Sequence, residues 1–456
     1  MTSKNCFPKD LAEALHSELE LRGPDSPGLE ILTDLFETLY FVSLKTEELQ
    51  PITCYIVYLS SENPDPEPPE RIVKDRWSYI RFIEPIEFTT SNLVKLAKAS
   101  DPRTSSFAVY HNEYGDLFIW GIIDQANRYH DFVNYDSDEG SERPGLFQAS
   151  IIGIGHLVAY IEYEKINELK TNILLGKTLD IFWSGPIYNM LGPGIQKYIE
   201  KVQGEIPEHI YGDRSHWNAS LMSYWITSLC RLLLRARSYH HGGAVLITPD
   251  TSLRGLNVKY SIQYHRLRSA LEGRALATIQ ETHASDLIFE GFLDQDADEI
   301  PTDLYLEETV NRDDLDDSLS ELDGAIWFIS LLTRVDGLVL MNPNLEVQGF
   351  GVEITCNDEP AAVFLAGDER ATKSRRRKVD YNHFGTRHRS MMRYCSQVDG
   401  SIGFVISQDG DVRVMTKVRN QLVMWENVRL QHEFKRPLVR RKRTKASQAP
   451  IDTLET

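Results

Sequence analysis

Leu29, Leu32, Leu35, Phe36 and Leu39 recur at the spacing of one buried helical face, so residues 28–41 read as an amphipathic helix, with a second over 10–22. Beyond them the pattern turns to strands. Residues 52–59 form a β-rich run, closed by the exposed loop Asn63-Pro64-Asp65-Pro66-Glu67-Pro68-Pro69. A strand over 81–89 and a helix over 91–99 follow, and 107–111 and 117–123 read as hairpin arms around Glu113-Tyr114-Gly115-Asp116. An acidic loop, 136–142, precedes one long apolar strand over 151–163. Elements mixed in this way predict an α+β domain, placed at residues 1–205.

The second half opens with an amphipathic helix over 217–237, whose apolar side carries Leu221, Trp225, Leu229, Leu232 and Leu233. His240-His241-Gly242-Gly243 then leads into an apolar strand, and a helix covers 270–282. Residues 294–317 are densely acidic and read as a solvated connection; a buried helix follows over 319–334. Two strands joined by a Pro343-Asn344 turn fill 335–351, and 361–365 is another strand. The basic run Lys373-Ser374-Arg375-Arg376-Arg377-Lys378 reads as a solvated loop, placed to add a phosphate contact. A helix begins after Phe384-Gly385, a strand ends at Ser407, and 412–418 pairs with 422–428 around Arg419-Asn420. The fold class is α/β: a mixed sheet flanked by helices at 210–430, with an acidic insertion near 294–318. A basic tail, 431–456, carries Lys435, Arg436, Arg440, Arg441, Lys442, Arg443 and Lys445.

Composition trims the functional choices. A net charge of −18 argues against a general nucleic-acid binder and leaves nucleic acid only to the basic tail. Five cysteines without CxxC spacing give neither a disulfide framework nor a zinc site. The start, Met-Thr-Ser-Lys-Asn-Cys, has no apolar signal core, and no run of about twenty apolar residues occurs. A cytoplasmic chain without a membrane span is the expectation. His240 and His241 lack a third ligand nearby and take a loop or packing role. Asp294-Gln295-Asp296-Ala297-Asp298 lacks the turn glycine and terminal glutamate of a calcium loop.

The chemistry concentrates in Phe384-Gly385-Thr386-Arg387-His388-Arg389-Ser390, with Met391, Tyr394, Cys395 and Val398 on one side of the helix that follows. Thr386 reads as the N-cap. The free amides and positive dipole end would face an anion, and Arg387 offers a fork for phosphate oxygens. Two Asp-Gly steps compete as the source of a carboxylate. Asp323-Gly324-Ala325 continues with helical spacing through Ile326, Trp327, Ile329 and Leu332; Asp336-Gly337-Leu338 leads straight into a strand, a turn and a strand ending at Gly349-Phe350-Gly351. Topology selects Asp336. No GxxxxGK[ST] loop occurs.

The Asp-Gly step, the Gly-Thr-Arg-His-Arg helix start and the strand ending Val405-Ile406-Ser407 together resemble the diadenylate cyclase (DAC) domain, which makes cyclic di-AMP from two ATP molecules. The resemblance implies that Asp336 holds Mg²⁺ or Mn²⁺ beside the attacking 3′-hydroxyl. It implies that Gly385, Thr386, Arg387 and His388 bind phosphates with Arg389 supporting the turn. Gly337 and Leu338 would lie against the nucleotide, Ile354 would border the adenine and Ser407 would reach a phosphate; Asp336, Arg387 and His388 would be catalytic. It also implies a face-to-face dimer, each protomer carrying one ATP. The first half is similar to the sensor domains called DACNV, through the Pro-rich loop and the stretches 88–102 and 117–124. Leu338 for alanine, Gln408 for glutamate and Ser390-Met391-Met392 for small residues depart from the family pattern. Leu338 is expected to crowd the nucleotide. The rival reading is a silent DAC-like module that binds a nucleotide without joining it.

Overall fold

The computed structural model describes residues 5–22, 26–62, 77–101, 104–125, 144–161, 164–208, 210, 214–293, 300–408 and 410–430. The Pro-rich loop 63–69, the acidic loop 136–142, residues 294–299 and the basic tail lie outside them. The heptad-like stripe of the first half forms α2 (Leu29–Ser43), which packs with α1 (Pro8–Glu20). Leu11, Leu15, Leu32, Leu35, Phe36 and Leu39 are fully buried against Ile56, Phe107, Val109 and Phe147. A two-stranded hairpin, β1 (Thr46–Glu47) and β2 (Gln50–Pro51), stands apart. The main strands are β3 (Cys54–Tyr58), β4 (Ser78–Glu87), β5 (Ser105–His111), β6 (Leu117–Asp124), β7 (Phe147–Gly153), β8 (His156–Ile161), β9 (Glu164–Lys170) and β10 (Ile173–Leu175). Their order is β10-β9-β8-β7-β3-β5-β6-β4, antiparallel except where β3 meets β5. A short helix α3 (Thr90–Leu96) is capped by Thr89 Oγ1, which accepts from the Asn92 amide at 3.3 Å.

The single strand expected over 151–163 is instead the β7–β8 hairpin. Gly155 takes φ +62°, a left-handed conformation that turns the chain, and Gly153 pairs with His156. The apolar run on both sides of the turn hides it.

The second half contains α4 (Gly185–Glu205), α5 (Asn218–Ser238), β11 (Gly243–Ile247), β12 (Leu256–Tyr264), α6 (Arg266–Ile288), α7 (Thr302–Leu332), β13 (Leu338–Met341), β14 (Val347–Ile354), β15 (Val363–Ala366), β16 (Arg376–Val379), α8 (Thr386–Gln397), β17 (Ile402–Ile406), β18 (Val412–Val418) and β19 (Gln421–Trp425). The nine strands run β12-β14-β13-β11-β17-β18-β19-β15-β16, with β11–β13 and β15–β19 parallel. One face is buried by α4–α7 through Leu191, Trp225, Leu229, Leu271 and Ile326. The other is covered by α8 through Met391, Met392, Tyr394 and Cys395. The basic run is not a loop: Arg376–Val379 is the edge strand, paired with β15.

The acidic connection is corrected in the same way. Residues from Thr302 onward are helical and continuous with the buried helix. Leu304, Glu308, Asn311, Leu315, Leu319 and Leu322 are the less exposed positions at three- or four-residue spacing, so an inward stripe runs beneath the acidic surface and packs along α6. Asp323, on this helix, is paired with the buried Arg231 at 2.5 Å.

Strand β9 joins the halves. Lys170 Nζ lies 2.8 Å from Asp411 Oδ1, and Lys165 Nζ donates to Asn427 Oδ1 at 3.0 Å. The backbone of Leu179 pairs with Asn427 and Arg429 at 2.8 and 2.9 Å. Lys165 also holds Glu168 at 2.6 Å, whose other oxygen meets His156 Nε2 at 2.5 Å. Burial would raise the Glu168 carboxyl, but the His156 and Lys165 hydrogen bonds and charges hold it at about 2, against an ordinary 4.5. Its folded value is therefore depressed. The stabilisation is complete above pH 4.5 and is lost as pH falls toward 2. On the order of 3 kcal/mol should disappear across that window. Denaturant titrations of Glu168→Gln against the parent check this: the variant should show a flatter acid limb.

Candidate functional site

The candidate residues gather at one end of the second sheet because of strand direction. Parallel β11 and β13 pair Val245 with Val339, so Gly242 and Asp336, which lead into these strands, lie at the same end of the sheet. Antiparallel β17 pairs Ile406 with Gly243, so Ser407 and Gln408 leave the sheet at the same end. Antiparallel β14 pairs Val352 with Leu338, which brings Ile354 there as well. Adjacent strands are about 4.8 Å apart. The first turn of α8 completes the group. A Cβ placed on Gly242 would lie 2.8 Å from Arg387 Nη1, 3.3 Å from Ile406 O and 3.5 Å from Gln408 Cγ. The Arg387 guanidinium thus sits on Gly242, at the sheet end where Asp336 leads into β13, and the missing side chain makes its seat.

Asp336 is exposed and precedes a tight backbone crossing. Gly337 has φ +113°, and a Cβ there would meet Gly351 C at 2.5 Å and Val352 N at 2.8 Å. Tyr260, stacked on Phe350 with centroids 4.8 Å apart, bounds Gly351 on the other side. Lys259 Nζ binds Glu353 at 2.7 Å; its pKa is raised first by that hydrogen bond and charge, and in smaller part by the Asp336 charge. Lys259 and the Tyr260 ring are neighbours of Asp336 that motif reading missed. Among the described residues no group of three or more His, Cys, Asp or Glu is poised to hold a metal. One exposed carboxylate suits Mg²⁺ or Mn²⁺ only where phosphate oxygens and water complete the shell, which is the usual mode for Mg²⁺ with nucleotides.

The helix start differs from the expectation by one residue. Gly385, at φ −64° and ψ 164°, is the N-cap, and the Arg389 amide bonds its carbonyl at 3.1 Å. Thr386 is the first helical residue and is exposed; its hydroxyl makes no cap bond. The amides of Thr386, Arg387 and His388 precede the Arg389 amide, the first donor within the helix, so no intrahelical carbonyl takes them and they can face an external anion. Arg389 is half-buried, and its carbonyl accepts from Tyr381 OH at 3.4 Å.

His388 is the buried member of this turn. It is 9% exposed, and its Nε2 lies 3.2 Å from Arg413 Nη1. Burial first, then the Arg413 and Arg387 charges, push it down to about 4, with Asp411 opposing. The ring is neutral at pH 7 and adds no positive charge for phosphate. The second guanidinium at this turn is that of Arg413, which Glu426 holds at 2.6 Å. Ser407 Oγ accepts from the Asp411 amide at 3.1 Å within a turn closed by the Ser407 amide on Asp411 O at 2.9 Å.

The departures from the family pattern have structural accounts. Leu338 is 5% exposed and packs in the core under α8, so its side chain is not positioned to crowd the cleft. Met391 fills space left by Gly403, where a Cβ would lie 2.3 Å from Met391 Cγ. Gln408 stays exposed beside Gly242.

Residues 22–124 match the family model described as "Probable sensor domain DACNV", a domain typically found in diadenylate cyclases. This covers α2 and the strands to β6, so the first half of the chain carries a sensor-type domain. No curated protein and no solved structure matches the chain. No helix among the described residues is long and apolar enough to cross a membrane.

Proposed function

We propose that the second half is a cyclic-dinucleotide synthase that condenses two ATP molecules into cyclic di-AMP and two pyrophosphates, under control of the N-terminal sensor-type domain. The observation that carries this reading is the seat of Arg387 on Gly242, at the sheet end where Asp336 leads into β13 beside parallel β11. Arg387 and the free α8 amides bind the triphosphate of one ATP, and Gly337 lets its backbone approach the nucleotide. Ile354 borders the base, and Ser407 donates its hydroxyl hydrogen to a phosphate oxygen. Asp336 holds a divalent ion, Mg²⁺ or Mn²⁺, which when bound neutralises phosphate charge. The 3′-oxygen of each ATP forms a bond to the α-phosphorus of the other; each α–β bridge breaks, pyrophosphate leaves with the electron pair, and the hydroxyl protons pass to solvent. Because the reaction is symmetric, two protomers face each other and a lone protomer is inactive.

Incubating the full chain with ATP and Mn²⁺ or Mg²⁺, with products read by mass spectrometry, tests the proposal. A cyclic dinucleotide whose specific rate rises with protein concentration supports it. ATP that binds and is recovered unchanged overturns it and leaves the silent nucleotide-binding module. Parallel reactions with GTP and with mixed nucleotides define the substrate.

Control by the first half runs through Lys170. It neutralises Asp411, which shares a turn with Ser407. Lys170→Ala would expose a negative charge beside the phosphate site, and the KM for ATP is expected to rise about two- to fivefold, the scale of a partly exposed ion pair. Adding Asp411→Asn should restore it; an unchanged KM in Lys170→Ala would remove this route.

A further inference from the structure

We propose that Arg413 is a positioning residue for the α8 turn: by donating to His388 Nε2 it fixes the imidazole as the neutral Nδ1–H tautomer, an orientation-setting role that rests on the synthase reading for its effect on rate. The motif itself points to Arg387 and His388 and says nothing of β18. In the structure, Arg413 Nη1 stands 3.2 Å from His388 Nε2 and Arg413 Nε 2.6 Å from Glu426 Oε1. Its guanidinium carbon lies 5.8 Å from the centre of the Phe384 ring, which is in turn 6.0 Å from the His388 ring. Glu426 and Phe384 thus clamp the guanidinium, and the guanidinium fixes the imidazole.

The tautomer follows from donor counting. A guanidinium has five N–H donors and no acceptor, so the hydrogen bond requires a lone pair on Nε2 and the ring proton must be on Nδ1. The charged groups around His388 agree. Arg387 faces it from its own helix, Arg413 from β18 and Asp411 from the β17–β18 turn, with Glu426 reaching it only through Arg413. Two cations against one nearby anion disfavour imidazolium. What the turn presents is therefore a neutral ring held by Arg413, next in the chain to Arg387, whose guanidinium lies on Gly242.

The test uses the full chain labelled with ¹⁵N, following imidazole nitrogens by two-bond correlation and assigning His388 as the signal lost in His388→Gln. The parent should show the Nδ1–H form across pH 5–8. Arg413→Met should shift it toward Nε2–H and move its titration up toward the ordinary 6.5, while Arg413→Lys, which keeps a donor, should restore the parent tautomer. In the product assay Arg413→Met should lower kcat about tenfold with little change in KM, the scale of one charge-assisted hydrogen bond. A parent His388 in the Nε2–H form, or an Arg413→Met variant with parental tautomer and rate, overturns the inference. A parent chain that forms no cyclic dinucleotide overturns the synthase reading instead, and leaves the nuclear-magnetic result to decide the positioning of His388 alone.

Discussion

Asp336→Asn is expected to lower the proposed rate of cyclic-dinucleotide formation by roughly a thousandfold or more, while ATP binding should change by less than about tenfold. The substitution is nearly isosteric and removes one charge. Asp336 is exposed at the mouth of β13, so the fold should not register its loss. Its neighbours define what the charge does: Lys259 feels it, and no second carboxylate joins it in a three-ligand cluster among the described residues. A divalent ion would therefore depend on this one side chain for its link to the protein. Arg387→Met is expected to behave differently. Its guanidinium occupies the Gly242 seat and, on the proposed reading, would meet phosphate in ground state and transition state alike, so KM should rise along with the fall in kcat. Steady-state rates by product mass spectrometry, with ATP affinity by calorimetry, separate the two. An Asp336→Asn enzyme of parental rate would place the chemistry elsewhere.

The parts of this site legible in the sequence are those next to strand ends. Asp336 precedes β13, Ile354 closes β14 and Ser407 follows β17, so a reading of strand boundaries already brings them to termini. Which termini share an end depends on strand order, and that depends on tertiary packing. The Gly242–Arg387 seat joins residues about 145 positions apart, and neither has a local pattern that names the other. His388 shows the same limit for charge. Its letter suggests a cation, yet its protonation is set by burial under Phe384 and by Arg413, supplied by a strand that follows it. Fold elements divide likewise. The α2 stripe and the Arg419-Asn420 turn, both residues at positive φ, are local and were readable. Helix α4 was missed because Gly185, Pro186, Gly192, Pro193 and Gly194 spell a loop; the helix survives Pro193 and uses Gly194 for contact, since a Cβ there would lie 1.9 Å from Pro343 O. In α7 the count of carboxylates outweighed the stripe beneath them.

The choice between the two Asp-Gly steps makes the second large prediction, and it concerns stability. Gly337→Ala should cost about 3–5 kcal/mol, combining a φ few side chains tolerate with a clash that cannot relax easily. At φ +113°, the new Cβ would press on Gly351 C at 2.5 Å and on Val352 N at 2.8 Å, both backbone atoms. Gly351 cannot retreat freely, because it is itself at φ +62° with the Tyr260 ring packed against it. Gly324→Ala is the control. Gly324 lies exposed inside α7 with nothing within 4 Å of the added carbon, so alanine should stabilise the helix by up to about 1 kcal/mol. Urea titrations followed by far-ultraviolet circular dichroism read the stability change at both glycines. Opposite signs at Gly337 and Gly324 would show that only the Asp336 step is built as a close backbone crossing, the feature that lets a nucleotide lie against the chain. Equal, small effects at both would remove the structural reason for preferring Asp336 to Asp323, whose carboxylate is already engaged by the buried Arg231.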